Sequence, residues 1–261
     1  CAGEGAIRPS RRGRVNHRLV NHRLDNRRLA RSRPDRQDGA CPPIPSAGAI
    51  MFYRGDQPHG LRHNPFNAIV VPRPIGWIST VDAEGRANLA PYSFFNGVAY
   101  MPPQVMFAST SAHAQGGGYK DTVANARDTG EFVVNICTWA LREAMNITAA
   151  PSPTGVDEFQ LAGLTPAPSE LVRAPRVKES PIHLECRFTA AVELATADPR
   201  QPNTVVFGEV IGIHIDDSVI VEGMVDYSRV EPIGRLGYMD YVKVDNVFSI
   251  MRPGWPIEPR G

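Results

Sequence analysis

The residues with the clearest chemical meaning lie in the short run Gly118–Thr122 (GYKDT), where a glycine-rich loop meets the start of a stretch with helical character. A helix N-terminus presents backbone N–H groups that lack intrahelical acceptors, together with the positive end of the helix dipole. A phosphate placed there gains hydrogen bonds that Lys120 and the Thr122 hydroxyl can supplement. The same residues have a plainer reading, with Asp121 as the helix cap, Lys120 as a solvated charge and Gly116–Gly118 as a flexible loop. A glycine-rich loop alone does not separate the two. A second group lies upstream. Ser79, Thr80 and Ser93 place hydroxyls beside Trp77 and Tyr92, a mixture that suits a ring with polar edges and an apolar face. The alternative is that Trp77 and the Phe94–Phe95 pair are core.

Other chemistries find no support in the spacing. His59 and His63 stand four apart, but Pro58 and Gly60 argue against a helix and no Glu adjoins them, so no metal site is expected. Cys1, Cys41, Cys137 and Cys186 include no close pair; neither a disulfide framework nor a CxxC motif is present, and a reducing, cytoplasmic setting is expected. No dyad or triad of acid, base and nucleophile is visible, so the candidate residues are binding rather than catalytic ones.

The elements that must position these residues are mostly strands. Ile75–Val81 (IGWISTV) and Asn88–Phe95 (NLAPYSFF) flank the turn DAEG and read as a hairpin. Gln104–Thr110 is a third strand, a helix is expected from about Asp121 to Asp128 with Gly130 ending it, and Glu131–Cys137 is a fourth strand. Thr138 is placed to cap a helix running to Thr148, and Asp157–Ala162 has the makings of one helical turn closed by Gly163. Two long runs rich in β-branched residues follow, Ile182–Ala195 and Thr204–Ile215. Many strands with few peripheral helices predict a mainly β protein built as a closed antiparallel barrel, since closure removes exposed edges.

Charge divides the chain. Residues 1 to 50 hold eleven Arg and no Lys against four acids, a net +7, so that the total of +1 leaves −6 for the remainder. The repeats NHRL, NHRL and NRRL recur every five residues in this segment, matching neither helix nor strand. It is expected to be a disordered basic extension, read as sequence upstream of the true start in preference to a transit peptide or a nucleic-acid arm, with the folded domain occupying 51–261. The mildly acidic remainder lacks the basic face that a nucleic-acid partner needs. No apolar run approaches the ~20 residues of a membrane span.

Several runs resemble the flavin-reductase-like, FMN-binding split-barrel family in the family's order: PRPIGWISTVDAEGRANLAPYSFFNGVAYMPPQVMFAST (Pro72–Thr110), KDTVANARDTGEFVVNI (Lys120–Ile136), VDEFQLAGLT (Val156–Thr165), ESPIHLECRF (Glu179–Phe188) and IGRLGYMDYVKV (Ile233–Val244). The resemblance implies a Greek-key split barrel that dimerises, with FMN in a groove near the subunit interface. It implies phosphate ligands at Lys120 and Thr122 around Asp121, with Ser109 across the loop. Ser79, Thr80, Ala90, Pro91, Tyr92 and Ser93 fall at positions that contact the ribityl chain and ring, and Trp77 and Asn96 are added to them. Arg235, with Leu236, Gly237 and Tyr241, matches a motif near the flavin or the dimer contact; a structural ion pair is the other role open to Arg235. The implied activity is an FMN-dependent oxidoreductase passing electrons from NAD(P)H, or another small donor, to a small acceptor. Its rivals are an FMN-holding electron carrier without a nicotinamide site and an FMN-dependent oxidase or oxygenase. Two departures stand out. The GDH segment whose His lies near the nicotinamide in short-chain flavin reductases is missing, from which slow reduction by NAD(P)H is expected. His113 stands where relatives often have Arg, which shifts phosphate binding toward backbone N–H groups.

Overall fold

Runs rich in Val, Ile, Phe and Thr form strands in the computed structural model, which describes residues 48, 50–115 and 117–255. The disorder expected for residues 1 to 50 falls outside the described residues, Gly48 and Ile50 aside. Met51–Gly261 form one compact unit. Besides four two-residue strands remote from the argument, its strands are β1 (Arg73–Pro74), β2 (Gly76–Val81), β3 (Ala87–Tyr92), β4 (Phe95–Tyr100), β5 (Pro103–Thr110), β6 (Glu131–Ile136), β7 (Ile182–Leu194), β8 (Asn203–Ile215), β9 (Ile233–Arg235) and β10 (Tyr241–Lys243). The helices that concern the site are α1 (Phe66–Ile69), α2 (Asp121–Thr129), α3 (Arg142–Ile147) and α4 (Glu158–Ala162). Seven strands make an antiparallel sheet in the order β3-β2-β6-β7-β8-β5-β4.

That order forces the sheet to close. β3 ends at Tyr92 and β4 begins at Phe95, yet they occupy opposite edges. Laid flat, six inter-strand steps would separate the edges by about 29 Å, whereas the Ser93–Phe94 link reaches only about 10 Å. The sheet therefore rolls into a barrel, split where β3 and β4 part; the Ala108 amide donates to the Phe94 carbonyl at 2.7 Å, extending the β5–β4 ladder into the link. Tyr92 and Phe107 pack inside with ring centroids 4.9 Å apart, and Phe107 meets Phe132 edge-on at 5.4 Å. The mainly β split barrel with peripheral helices is as expected from sequence.

β2 is buried along its whole length. Ile78 faces the barrel interior with Phe95, Phe107 and Phe132, while Trp77 joins Leu89, Met145 and Phe159 in a second cluster. In that cluster α3 and α4 supply Met145 and Phe159 and cover the outer face. Cys137 and Cys186 are buried free thiols; burial pushes Cys137 up to about 12 and Cys186 higher still, which leaves both unreactive. Among the described residues no helix is long and apolar enough to cross a membrane.

Two sequence expectations need correction. The run Asn88–Phe95 is not one strand: it breaks at Ser93–Phe94, and Phe95 leaves the hairpin to pair with Phe107 on β5. The helix expected to follow a Thr138 cap begins only at Arg142. Thr138 instead bridges Pro232, and the Trp139 amide donates to the Glu231 carbonyl at 2.8 Å, so tertiary pairing takes the backbone groups the first turn would have used. By contrast α2 ends at Gly130 in the left-handed conformation, as expected.

Gly208, at a register shift in β8, has Phe132 where its side chain would be; a Cβ there would overlap Cζ and Cε1 of that ring. Phe132 is fully buried and has no room to retreat. Gly208→Ala is expected to lower unfolding free energy by about 1–3 kcal/mol, read as a lower midpoint in urea with an unchanged slope.

Candidate functional site

The first turn of α2 is open. Lys120 occupies the N-cap position without a side-chain capping bond. The loop before it turns through Gly117 and Gly118 at φ of 73° and 74°, a region that glycine enters at no steric cost, and the His113 amide closes the loop on the Gly118 carbonyl at 3.2 Å. Asp121 is not the cap: its carboxylate accepts from Thr154 Oγ1 at 2.9 Å and has His113 Nε2 at 3.7 Å. Nor is Lys120 a solvated charge. It is half-buried, forms no ion pair among the described residues, and burial pulls its pKa below the ordinary lysine value.

This helix start opens into a cavity of about 460 Å³ lined by residues 90–93, 110–114, 120–122 and 148–152, with Asn67, Asn88 and Glu158. Seven expected site residues meet here: Ala90, Pro91, Tyr92 and Ser93 from the end of β3, and Lys120, Asp121 and Thr122 from α2. Ser109 is buried beside them, its hydroxyl and that of Thr122 within reach of the Tyr92 hydroxyl. Burial pushes Tyr92 up to about 12 against those two hydrogen bonds, so it stays a neutral phenol.

The other expected residues do not reach this cavity. Trp77 is fully buried in the outer cluster and donates from Nε1 to Thr148 Oγ1 at 2.9 Å. Ser79 donates to the Pro175 carbonyl at 2.5 Å, and Thr80 links Asn125 Nδ2 to Asn88 Oδ1. These three lie on β2, covered on both faces. Asn96 is exposed on edge strand β4. Arg235 lines a neighbouring cavity.

Sequence reasoning missed the supports beneath the cleft. Thr122 Oγ1 donates to Asn88 Oδ1 at 2.8 Å, Asn88 Nδ2 donates to Glu158 Oε2 at 3.2 Å, and the Leu89 amide donates to the same oxygen at 3.1 Å. Glu158 ties the start of α4 to β3 and, through Asn88, aligns the Thr122 hydroxyl at the helix start. An acid in a first helical turn, just after the Asp157 cap, is ordinary and gives no signal in sequence. Among the described residues no group of His, Cys, Asp or Glu side chains is placed to hold a metal ion.

Comparison with known proteins agrees with this architecture. The family described as the flavin reductase like domain matches residues 68–233, and the chain belongs to that family. A protein of Aquifex aeolicus (strain VF5) is 43% identical over 176 residues, which are 67% of this chain and 86% of the relative. The crystal structure of nitrilotriacetate monooxygenase component B from Bacillus cereus superposes with a TM-score of 0.72 at 32% identity, covering 78% of this chain and 100% of that one. The 2-nitrobenzoate 2-nitroreductase NbaA of Pseudomonas fluorescens gives 0.62 at 27% identity, covering 72% and 89%. The chain is therefore a flavin-reductase-like split-barrel protein.

Glu158 carries a pH signature. Burial raises its pKa above the carboxylate value of 4.5, against the opposing bonds from Leu89 and Asn88. A raised folded-state pKa means that the folded protein binds this proton more tightly than the unfolded chain. The stability it contributes is fully present below the unfolded pKa and is lost as pH rises through the folded one. Urea midpoints of the wild type and Glu158→Gln measured from about pH 4 to 8 should diverge, with the variant gaining relative to the wild type as pH rises. A difference independent of pH would contradict the assignment.

Proposed function

We propose that the cleft binds FMN and that the protein is an FMN-dependent oxidoreductase, passing electrons from NAD(P)H or another small donor to a small acceptor. The observation that carries this reading is the uncapped start of α2, with Lys120 in no ion pair among the described residues, opening into a cavity whose other wall is Ala90–Ser93. The first-turn N–H groups and Lys120 suit a phosphate monoester, while Thr122, whose hydroxyl proton goes to Asn88 Oδ1, steadies the helix start beside it. One helix start and one lysine make a single phosphate subsite, which favours FMN over a dinucleotide. Along the other wall, the Ser93 hydroxyl and the backbone of Ala90–Ser93 offer polar contacts to a ring edge. The volume lies within the ~300–1,000 Å³ usual for small-molecule sites. Bound FMN would supply the hydride and electron chemistry that no side chain here provides. The chain's own groups bind, orient and neutralise charge.

We also propose a homodimer. Edge strand β4 presents Val98 and Tyr100 to solvent, the turn after it Met101, and the C-terminal segment Phe248, Ile250 and Trp255. An unpaired apolar edge calls for a partner, and a second copy in a closed symmetric pair is the commonest solution.

The visible spectrum of the purified protein, before and after anaerobic addition of NADH or NADPH, tests the functional reading. Bound flavin that bleaches supports it; retained flavin that neither cofactor bleaches selects the electron-carrier or oxidase alternatives; protein that binds no FMN overturns it. Lys120→Ala is expected to weaken FMN affinity roughly ten- to a hundredfold, the loss of one charge-assisted hydrogen bond, as measured by fluorescence titration. Light scattering should give a dimer mass at micromolar concentration, and a monomer mass with FMN bound would contradict the assembly.

A further inference from the structure

Two arginines beside the cleft face one another with no counterion among the described residues. Arg73 on β1 and Arg235 on β9 are direct Cα partners in an antiparallel pair, an arrangement in which like charges destabilise the sheet. Arg73 is buried, at 7% exposure; Nη1 donates to the Asn67 and Val70 carbonyls at 2.6 Å each and Nη2 to the Leu236 carbonyl at 3.0 Å. Its Nε, also buried, has no partner. All its acceptors are neutral. Arg235 lies over the Tyr241 ring, 4.5 Å from the centroid, and bonds only to the Tyr238 carbonyl, leaving most of its five donors unused. Neither arginine forms an ion pair among the described residues. Burial, and then the nearby Arg235 charge, lower the pKa of Arg73.

Both guanidinium groups line a cavity of about 320 Å³ that has no carboxylate in its walls. It is continuous with the first cleft, since Asn67, Pro91, Ser93 and Ala149 line both. Lys120 and Thr122 line only the first, so the second cavity meets the cleft away from the phosphate-ready end. The wall is built tightly. Gly237 packs against Ala68 so closely that a Cβ would overlap it, holding the 236–238 turn on α1 and keeping both arginines at the cavity.

We infer that this cavity is an oxyanion subsite for the second substrate, holding a carboxylate or diphosphate group in contact with Arg235 and in the field of Arg73. The inference rests on the FMN reading, because the second substrate is defined by its position beside the flavin. A buried charge without a counterion is costly, the more so for Arg73 with the half-buried Arg235 opposite it, and an incoming anion offsets the repulsion and meets free donors of Arg235. A carboxylate or diphosphate also matches the planar fork of Arg235.

The test uses FMN-loaded protein at constant ionic strength, titrated calorimetrically with three probes: benzoate, its neutral isostere benzamide, and inorganic diphosphate. At least one anion should bind about tenfold or more tightly than benzamide, and Arg235→Gln should abolish that preference while FMN affinity stays within about twofold. A benzoate preference assigns the site to a carboxylate substrate, and a diphosphate preference to a dinucleotide. Retained FMN with both anions no tighter than benzamide overturns the subsite, as does a preference that survives in the variant. The wild-type comparison decides even where the variant misfolds. Failure of the wild type to hold FMN strikes the functional reading instead, and calorimetry on the flavin-free protein then reads the arginine pair separately.

Discussion

The short link between Tyr92 and Phe95 constrains the rest of the molecule. It joins the two edges of a seven-stranded sheet, and two residues cannot bridge that distance unless the sheet rolls up. Rolling places Phe95, Phe107 and Phe132 inside and makes the end of β3, where hairpin and link meet, a surface feature rather than the middle of a strand. The cleft forms there because the chain, still paired with β2 through Ala90–Tyr92, must cross within two residues to Phe95 and its partner Phe107 on β5. Closure and cleft have one cause.

A polar network then holds the cleft rigid. Asn88 on β3 is the hub: it donates to Glu158 on α4 and accepts from both Thr122 on α2 and Thr80 on β2, and Thr80 in turn accepts from Asn125 on α2. Buried polar groups are costly unless paired, so the network fixes one arrangement of these elements and sets the Thr122 hydroxyl relative to the open helix start. On the other side of β2, Asn135 does comparable work, donating to the Trp77 carbonyl and Ser79 Oγ and accepting from the Val177 amide. Ser79 and Thr80, with hydroxyls that suggest ligand binding, are thus occupied in holding strands and helices together.

Charge is distributed with similar economy. The domain is acidic overall, yet among the described residues Lys120, Arg73 and Arg235 stand beside the two cavities without acidic partners, whereas Arg86, Arg173 and Arg200 at the surface are paired. Cations kept from available carboxylates in an acidic protein support the reading that their counter-charges arrive with ligands, the first proposed as the flavin phosphate and the second as an anion on the other substrate.

Sequence by itself determined most of the elements and one end of the site. The helix from Asp121 to Gly130, the long strands β7 and β8, the capped turn at Asp157 and the phosphate-ready GYKDT run depend on local chemistry: periodicity, β-branching, capping and glycine's conformational range. The family resemblance added the barrel and the positions Ala90–Ser93. Tertiary structure alone decided which hydroxyls face the cleft. Ser79, Thr80 and Trp77 alternate along a strand like any other, and only the packing of barrel on one side and α3 and α4 on the other buries both faces of β2. It also decided the break at Ser93–Phe94, the delayed start of α3, the support from Glu158 and the juxtaposition of Arg73 with Arg235, residues 162 positions apart in the chain. Contacts between distant segments leave no local pattern, because each residue type is ordinary where it stands and gains its role from a neighbour that only folding supplies.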